Sequence, residues 1–484
     1  YGLQGLSSEH SEVRSLIGAL CVKIAESRDL LNSQELANAL YGVQELSSEH
    51  WEVCRLLTIL STKVAESRQE DSLTAQGVGN SIYGLHSMSS NHREVRVFLE
   101  HLTTKIAESR DELASQDIAN ALYGLQGMDS NHAGVRNLVH LLSEKAAASR
   151  DIFTSQRLGM AFYGLQGMSH QHAEVCTLLG ILCEKVKDSP HSWNAQTVGN
   201  VFYGLQNIDL GDVITPTLLP TLFLKMLQSE EAISAQAVSN TLYGLLYTVK
   251  KGGAKTKSDV EAILNHLLDG ASRLIMSDAA DISGLDSCQQ SLKLRDIYRS
   301  LSLLQFHNDP SSGSGSKMLS QAVTDKIDMT LATVAAALST HDDNSNSQPS
   351  IAERKIAGVV KRYLQHHYPT AVLYRNEMLH GFEADIVIRF PLSGAAATST
   401  STSTSRQPHV RVINIEVDGP RHLFPSTQTF TARRDEFLTR RHDISIHRID
   451  ITQMKRNSNI DDNVIFPLLD GMRLFSEDEE VCLR

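Results

Sequence analysis

Residues Ser33–Leu46 read SQELANALYGVQEL, and close copies of this stretch return along the N-terminal half of the chain. Aligned on the tyrosine that precedes glycine, they place Tyr1, Tyr41, Tyr83, Tyr123, Tyr163, Tyr203 and Tyr243 at successive spacings of 40, 42, 40, 40, 40 and 40 residues. Self-similarity at a fixed period of this size marks units that bury their apolar faces only by stacking on their neighbours. The repeat therefore predicts an α-solenoid of helical hairpins over residues 1–249.

Each unit reads as two helices. In the first copy, Val13, Leu16, Ile17, Leu20 and Ile24 fall on one helical face and predict helix A from about Glu9 to Arg28. Helix B starts after Asn32, Thr74, Ala114, Thr154, Asn194 and Ser234, all but the alanine being good N-caps. Along helix B, Leu36, Ala39, Leu40, Val43 and Leu46 group on one side, and Gln34, Asn38 and Tyr41 on the other.

This Gln-Asn-Tyr stripe recurs, with Gln76, Gln116, Gln156, Gln196 and Gln236, and with Asn80, Asn120, Asn200 and Asn240; Met160 replaces one asparagine. Repeated amides and tyrosines suit bonding and packing between units. They equally suit hydrogen-bonding and stacking of unpaired bases along a groove. A second row, Lys23, Lys63, Lys105, Lys145, Lys185 and Lys225, lies near the end of helix A, with Arg28, Arg68, Arg110 and Arg150 beside it. Acids such as Glu12, Glu52 and Glu94 begin the same helices, so the row complements the helix macrodipole or, alternatively, meets a phosphate backbone. His10, His50, His92, His132 and His172 share one position at the start of helix A, where surface or capping roles are expected rather than metal ligation.

The net charge of −11 argues against coating nucleic acid by bulk charge. Its distribution is uneven: residues 1–249 hold 17 Lys and Arg against 27 Asp and Glu, whereas 406–456 hold 10 against 6. Cys21, Cys54, Cys176, Cys183, Cys288 and Cys482 form no CxxC pair, and read as small apolar packing residues rather than a zinc or disulfide framework. No apolar run is long enough to span a bilayer. Tyr1 falls inside a repeat, so further repeats and any targeting segment are expected ahead of it.

Beyond Val249, the stretch KKGGAKTKS reads as a linker, and helical patterns at Ser258–Met276, Ser287–Gln305 and Lys317–Leu338 read as degenerate capping repeats across 250–340. A polar linker at 341–350 precedes a second domain, 351–484. That domain predicts a helix at Ile351–Tyr368, strands at Ala371–Asn376, Glu383–Phe390 and Val410–Asp418, and a helix at Thr427–Arg441. A strand at Ser445–Ile451 and a helix at Asp461–Phe475 complete the order αβββαβα, with a Ser/Thr-rich insertion before Val410.

Two strands deliver carboxylates. Asp385 opens one, and the period of two puts Glu416 and Asp418 on one face of the other. Acids on adjacent strands suggest a divalent-cation site, with Asp385 and Glu416 as ligands, able to activate water against a phosphodiester. Gly419-Pro420 ends the strand and places His422 just beyond it. Pairing of Asp385 and Glu416 with Arg441 or Arg448 in a satisfied core is the alternative. Arg421, Arg433, Arg434, Arg440 and Arg441 offer phosphate contacts or a solvated helix face.

The stretch IEVDGPRH, Ile415–His422, resembles the signature of the RAP domain, an RNA-binding domain abundant in apicomplexans, and the resemblance covers 351–484. That family is similar to the very-short-patch-repair and PD-(D/E)xK endonuclease fold. The resemblance implies that Asp385 matches the first metal-binding acid and Glu416 the acid of the (D/E)xK element. Asp418 stands at the lysine position, a charge reversal that removes the cation expected to stabilise the transition state. The SQxxANxLYGL repeats resemble octotricopeptide and related helical-pair repeats, with tyrosine where tryptophan is common.

The resemblance implies an organellar protein, of mitochondrion or plastid. In it, a solenoid binds single-stranded RNA, such as rRNA or mRNA, and a RAP domain clamps or processes it in transcript maturation, stability or translation. No cofactor is required by this reading. A Mg²⁺-dependent RNA endonuclease is one alternative, and a protein-interaction scaffold using the acidic repeats is the other.

Overall fold

The computed structural model describes residues 2–67, 72–189, 193–210, 218–229, 233–251, 256–276, 287–309, 319–339, 351–380, 382–391, 410–418, 425–450 and 462–471. Arg68, Arg421, His422, the linker at 341–350 and the Ser/Thr-rich insertion lie outside the described residues. The chain divides into two compact units, one centred on Tyr1–Thr340 and one on His341–His422 with Phe430–Arg484. It is mostly helical, with one small mixed sheet in the second unit.

In the first unit, the A helices are α1 (Ser11–Glu26), α3 (Trp51–Glu66), α5 (Arg93–Glu108), α7 (Ala133–Ala148), α9 (Ala173–Asp188) and α11 (Leu218–Leu227). The B helices are α2 (Ser33–Gly42), α4 (Ala75–Tyr83), α6 (Ser115–Tyr123), α8 (Ser155–Tyr163), α10 (Ala195–Gly204) and α12 (Ala235–Lys251). From α1 to α10, A packs on A and B on B, giving a solenoid-like stack. The pattern continues through α13 (Lys257–Met276), α14 (Ser287–Asn308) and α15 (Gln321–Ser339): α14 packs on α12, and α15 on α13.

The helix starts follow the expected chemistry. Asn32, Thr74, Thr154, Asn194 and Ser234 each accept a hydrogen bond from the backbone N–H three residues on. Where Ala114 has no side chain to offer, the Asp117 carboxylate accepts the Ala114 N–H instead.

Glycine explains how the B helices come together. A Cβ built on Gly84, Gly124, Gly204 or Gly244 would stand 1.8–2.1 Å from the carbonyl oxygen of Leu40, Ile82, Phe162 or Phe202 in the preceding B helix. Only a residue without a side chain permits that approach. The apolar side is sealed by Leu40, Ile82, Leu122, Phe162 and Phe202, all fully buried.

Serine and lysine add polar joints. The hydroxyls of Ser8, Ser48, Ser90 and Ser130 accept the backbone N–H of Ser47, Ser89, Asp129 and Ser169, one repeat later. The ammonium groups of Lys63, Lys145, Lys185 and Lys225 donate to the carbonyls of Ser27, Ser109, Ser149 and Ser189, the residues just past the preceding A helices.

The second unit has the expected order: α16 (Ile351–His367), β1 (Val372–Leu379), β2 (Phe382–Pro391), β3 (Val410–Asp418), α17 (Pro425–His442), β4 (Ser445–Asp450) and α18 (Asp462–Gly471). The sheet runs β1-β2-β3-β4, antiparallel except for the parallel pair β3–β4. Strand β1 continues three residues past the expected end at Asn376, because asparagine tolerates the left-handed backbone (φ 50°) taken there without ending the strand. Ile386, Ile388, Ile413, Ile415 and Val417 pack with Val360 and Leu364 of α16 and Ile465 and Leu469 of α18. The other residues of β3, Asn414, Glu416 and Asp418, point the opposite way.

Candidate nucleic-acid interface

Because glycine draws the B helices together, the tyrosines preceding it form one continuous column. Tyr41, Tyr83, Tyr123, Tyr163, Tyr203 and Tyr243 stack in sequence with ring centroids 5.4–5.8 Å apart and interplanar angles of 16–30°. Burial, then the neighbouring phenols Tyr203 and Tyr123, push Tyr163 up to about 12; Tyr83 is raised for the same reasons. The rings of Tyr83 and Tyr163 are therefore held neutral.

Beside it run the amides. Gln34, Gln76, Gln116, Gln156, Gln196 and Gln236 are exposed, and Asn38, Asn80, Asn120, Asn200 and Asn240 half-buried. Gln116 and Gln236 each donate to the asparagine one turn later, at 2.8 Å, which orients the amide pair. A cleft of about 440 Å³ on this face is lined by Tyr83, Tyr123, Gln156, Met160, Gln196 and Asn200 among others, so side chains from four repeats meet around one hollow. Arg157 adds a cation, its guanidinium on Ser115 Oγ and Gln116 Oε1 at 2.6 and 3.2 Å.

The expected cation row is placed elsewhere. Lys63, Lys145, Lys185 and Lys225 point into the joints described above, and burial lowers the Lys145 ammonium below its ordinary range. Lys105 is buried and pairs with Glu108; Lys23 is exposed and pairs with Glu26. Arg28, Arg110 and Arg150 are exposed, but the cleft holding Arg110 and Arg150 also holds Asp111, Glu112 and Glu144. The histidines stand at the A-helix N-caps without side-chain caps; His50, His92 and His172 instead face Glu9, Glu49 and Asn131 of the preceding repeat.

In the second unit, Asp385 and Glu416 do meet, at the point where the β2–β3 ladder ends with Ile386 and Ile415. Asp385 Oδ2 accepts the Val417 N–H at 2.7 Å. Burial, then the charge of Glu416, raise Asp385 to about 7, with the Val417 bond opposing. Glu416 is buried, its oxygens taken by Asn414 Nδ2 at 2.6 Å and Arg434 Nη2 at 3.0 Å. Asp418 pairs with Arg448 at 2.5 Å, and Arg448 also holds Asp435 at 2.6 Å.

These residues do not fit a Mg²⁺ site. Arg434 already supplies the positive charge at Glu416, and Arg448 does so at Asp418. Of the expected arginines, Arg434 is thus engaged with Glu416 and Asp435, Arg433 is buried, and Arg440 pairs with Glu436. The partner expected for Glu416, Arg441 or Arg448, is Arg434 instead.

A feature the sequence reading missed lies between α16 and β1. A cleft of about 630 Å³ there is lined by Arg354, Lys361 and Arg375, with Gln365, Tyr368 and Pro369, and by no acid. All three cations are exposed. The signal was present as Arg354 and Lys361 seven residues apart on one helical face.

No family model and no curated protein matches the chain. Among the described residues, no helix is long and apolar enough to cross a membrane.

Proposed function

We propose that the chain binds single-stranded RNA along the helix-B face of its repeats and that its C-terminal unit is a RAP domain that clamps the RNA without cutting it. The observation that carries this reading is the uninterrupted tyrosine column, with an amide pair beside each ring except Tyr163, where Met160 replaces the asparagine. Neutral rings and amides are groups that stack on unpaired bases and hydrogen-bond their edges. The acid-free cleft with Arg354, Lys361 and Arg375 supplies cations for phosphate. On this reading the setting is a mitochondrion or plastid, and the role is maturation, stability or translation of a transcript, as the IEVDGPRH resemblance implies.

The nuclease alternative is disfavoured by the pairing of Glu416 with Arg434 and of Asp418 with Arg448. The scaffold alternative predicts a stable protein partner and no retained RNA. The test is to incubate the chain with single-stranded RNA, double-stranded RNA and single-stranded DNA, with and without Mg²⁺. The expected result is retention of single-stranded RNA without new ends, weakened at least tenfold by Tyr123→Ala with Gln116→Ala. Retention indifferent to these substitutions would sink the assignment of the interface, and Mg²⁺-dependent ends lost in Glu416→Ala would restore the nuclease.

A further inference from the structure

At one position of helix A, three repeats carry arginine and two carry cysteine: Arg14, Cys54, Arg96, Arg136 and Cys176. Each arginine donates to two carbonyls at the start of its own helix, Arg14 to Ser8 and Glu9, Arg96 to Ser90 and Asn91, Arg136 to Ser130 and Asn131. Cys54 Sγ keeps one of these contacts, to the Ser48 carbonyl at 3.0 Å. The guanidinium also serves the next repeat: Arg136 Nε faces Glu174 at 3.8 Å.

The residue matching Glu174 in the repeat after Cys54 is Glu94. At that joint, as at Cys176, a thiol stands where Arg14, Arg96 and Arg136 place a permanent cation, and here the acid remains. His92 lies beside it, and the ligand atoms of Cys54, His92 and Glu94 all fall within 4.8 Å of one another, in a half-buried setting. The His92 Nε2 is also 2.9 Å from Glu49 Oε1, whose side chain is only 4% exposed.

We propose that Cys54, His92 and Glu94 bind a divalent transition-metal ion, Zn²⁺ by preference, that bridges the second and third repeats. Thiolate, imidazole and carboxylate are a donor set for Zn²⁺, and tetrahedral bonds of about 2.0–2.3 Å place ligand atoms about 3.3–3.8 Å apart. An inward shift of about 1 Å, within side-chain rotation, closes the observed spacing to that. Glu49 accepts from the imidazole and orients it, as carboxylates commonly do behind zinc-bound histidine. The other cysteine at this position is an internal control, because the residues matching His92 and Glu94 after Cys176 are Asp212 and Ile214. The ion takes the electrostatic place of the guanidinium that Arg14, Arg96 and Arg136 supply at their joints.

The test is titration of the full chain with Co²⁺ as a spectroscopic probe, followed by Zn²⁺ competition against a chromophoric chelator. Thiolate-to-cobalt charge transfer with visible bands of tetrahedral intensity is expected at one equivalent, lost in Cys54→Ser, weakened in His92→Gln and unchanged in Cys176→Ser. Glu49→Gln should weaken Zn²⁺ about 10-fold or more without removing the thiolate band. Far-ultraviolet circular dichroism establishes that each variant is folded before titration. No thiolate band, or one that survives Cys54→Ser, shows adventitious binding only and overturns the proposal.

Discussion

Gly164 lies so close to Leu122 that a Cβ on it would stand 1.8 Å from the Leu122 carbonyl oxygen. The backbone of one B helix thus touches the backbone of the one before, and the tyrosine column depends on that contact. Gly164→Ala must push α8 off α6, and a loss of about 3 kcal/mol is expected. Gly180, inside α9, meets nothing within 4 Å, so Gly180→Ala should gain about 0.5–1 kcal/mol from helix propensity. Denaturant melts of the two variants check the contrast, and equal effects would refute the packing argument.

The Lys185 ammonium sits 2.6 Å from the Ser149 carbonyl and 5.7 Å from the Phe153 ring centroid. Lys185→Met should cost about 1–3 kcal/mol by stranding that carbonyl. RNA affinity and its salt dependence should not change. By contrast, Lys361→Gln with Arg375→Gln should flatten the plot of log affinity against log salt while leaving the melting temperature in place. A flattened slope in the Lys185 variant would return the lysine row to the interface.

Asp385 titrates near 7 in the folded chain against an ordinary 3.8. The folded state therefore holds a proton that the unfolded chain releases between those values. The stability this lends is full below 3.8 and lost as the pH rises through about 7. Asp385→Asn keeps an acceptor for the Val417 N–H and stays neutral, so it should be more stable than the parent by about 1–2 kcal/mol at pH 8, after allowing for partial exposure. The gain should vanish near pH 4. Thermal melts across that range measure it, and a variant less stable at pH 8 would show that the ionised carboxylate is needed.

His442 carries the opposite sign. Burial, then His380 stacked on it at 3.3 Å and Arg441, lower it to about 4 from 6.5. Here the unfolded chain takes up the proton first, so the contribution is full above 6.5 and declines as the pH falls toward 4. His442→Gln should make the melting temperature less sensitive to pH over that interval. An unchanged acid limb would place the sensitivity elsewhere.

How legible this was in the sequence differs between residues that act within a repeat and residues that act across one. Asn32, Thr74 and Ser234 were readable as caps because a cap's partner is three residues away. The face shared by Glu416 and Asp418 was readable because strand period is local. Arg434 was not readable as the partner of Glu416, since α17 reaches the strand only through the fold, and Arg448, a candidate for Asp385 or Glu416 in the sequence, pairs with Asp418 instead. The lysine row reads in sequence as a helix-end charge or a phosphate contact, because the acceptors of Lys63, Lys145, Lys185 and Lys225 lie 36 residues upstream. Yet Ser27, Ser109, Ser149 and Ser189 recur as regularly as the lysines, and two rows in step were the signal of a joint. Met160 interrupts the asparagine row without interrupting the tyrosine column, because stacking is held by the adjacent Gly164 and not by the amide.

The serine and lysine joints also have a direction. In both, the donor belongs to the later repeat and the acceptor to the earlier one, as with Ser89 N–H on Ser48 and Lys225 on Ser189. Other bonds run the opposite way: the Ser90 and Ser130 N–H groups donate to the carbonyls of Gly127 and Gly167 further along the chain. Each unit is thus tied both forward and backward, like a course of masonry bonded into the ones above and below it.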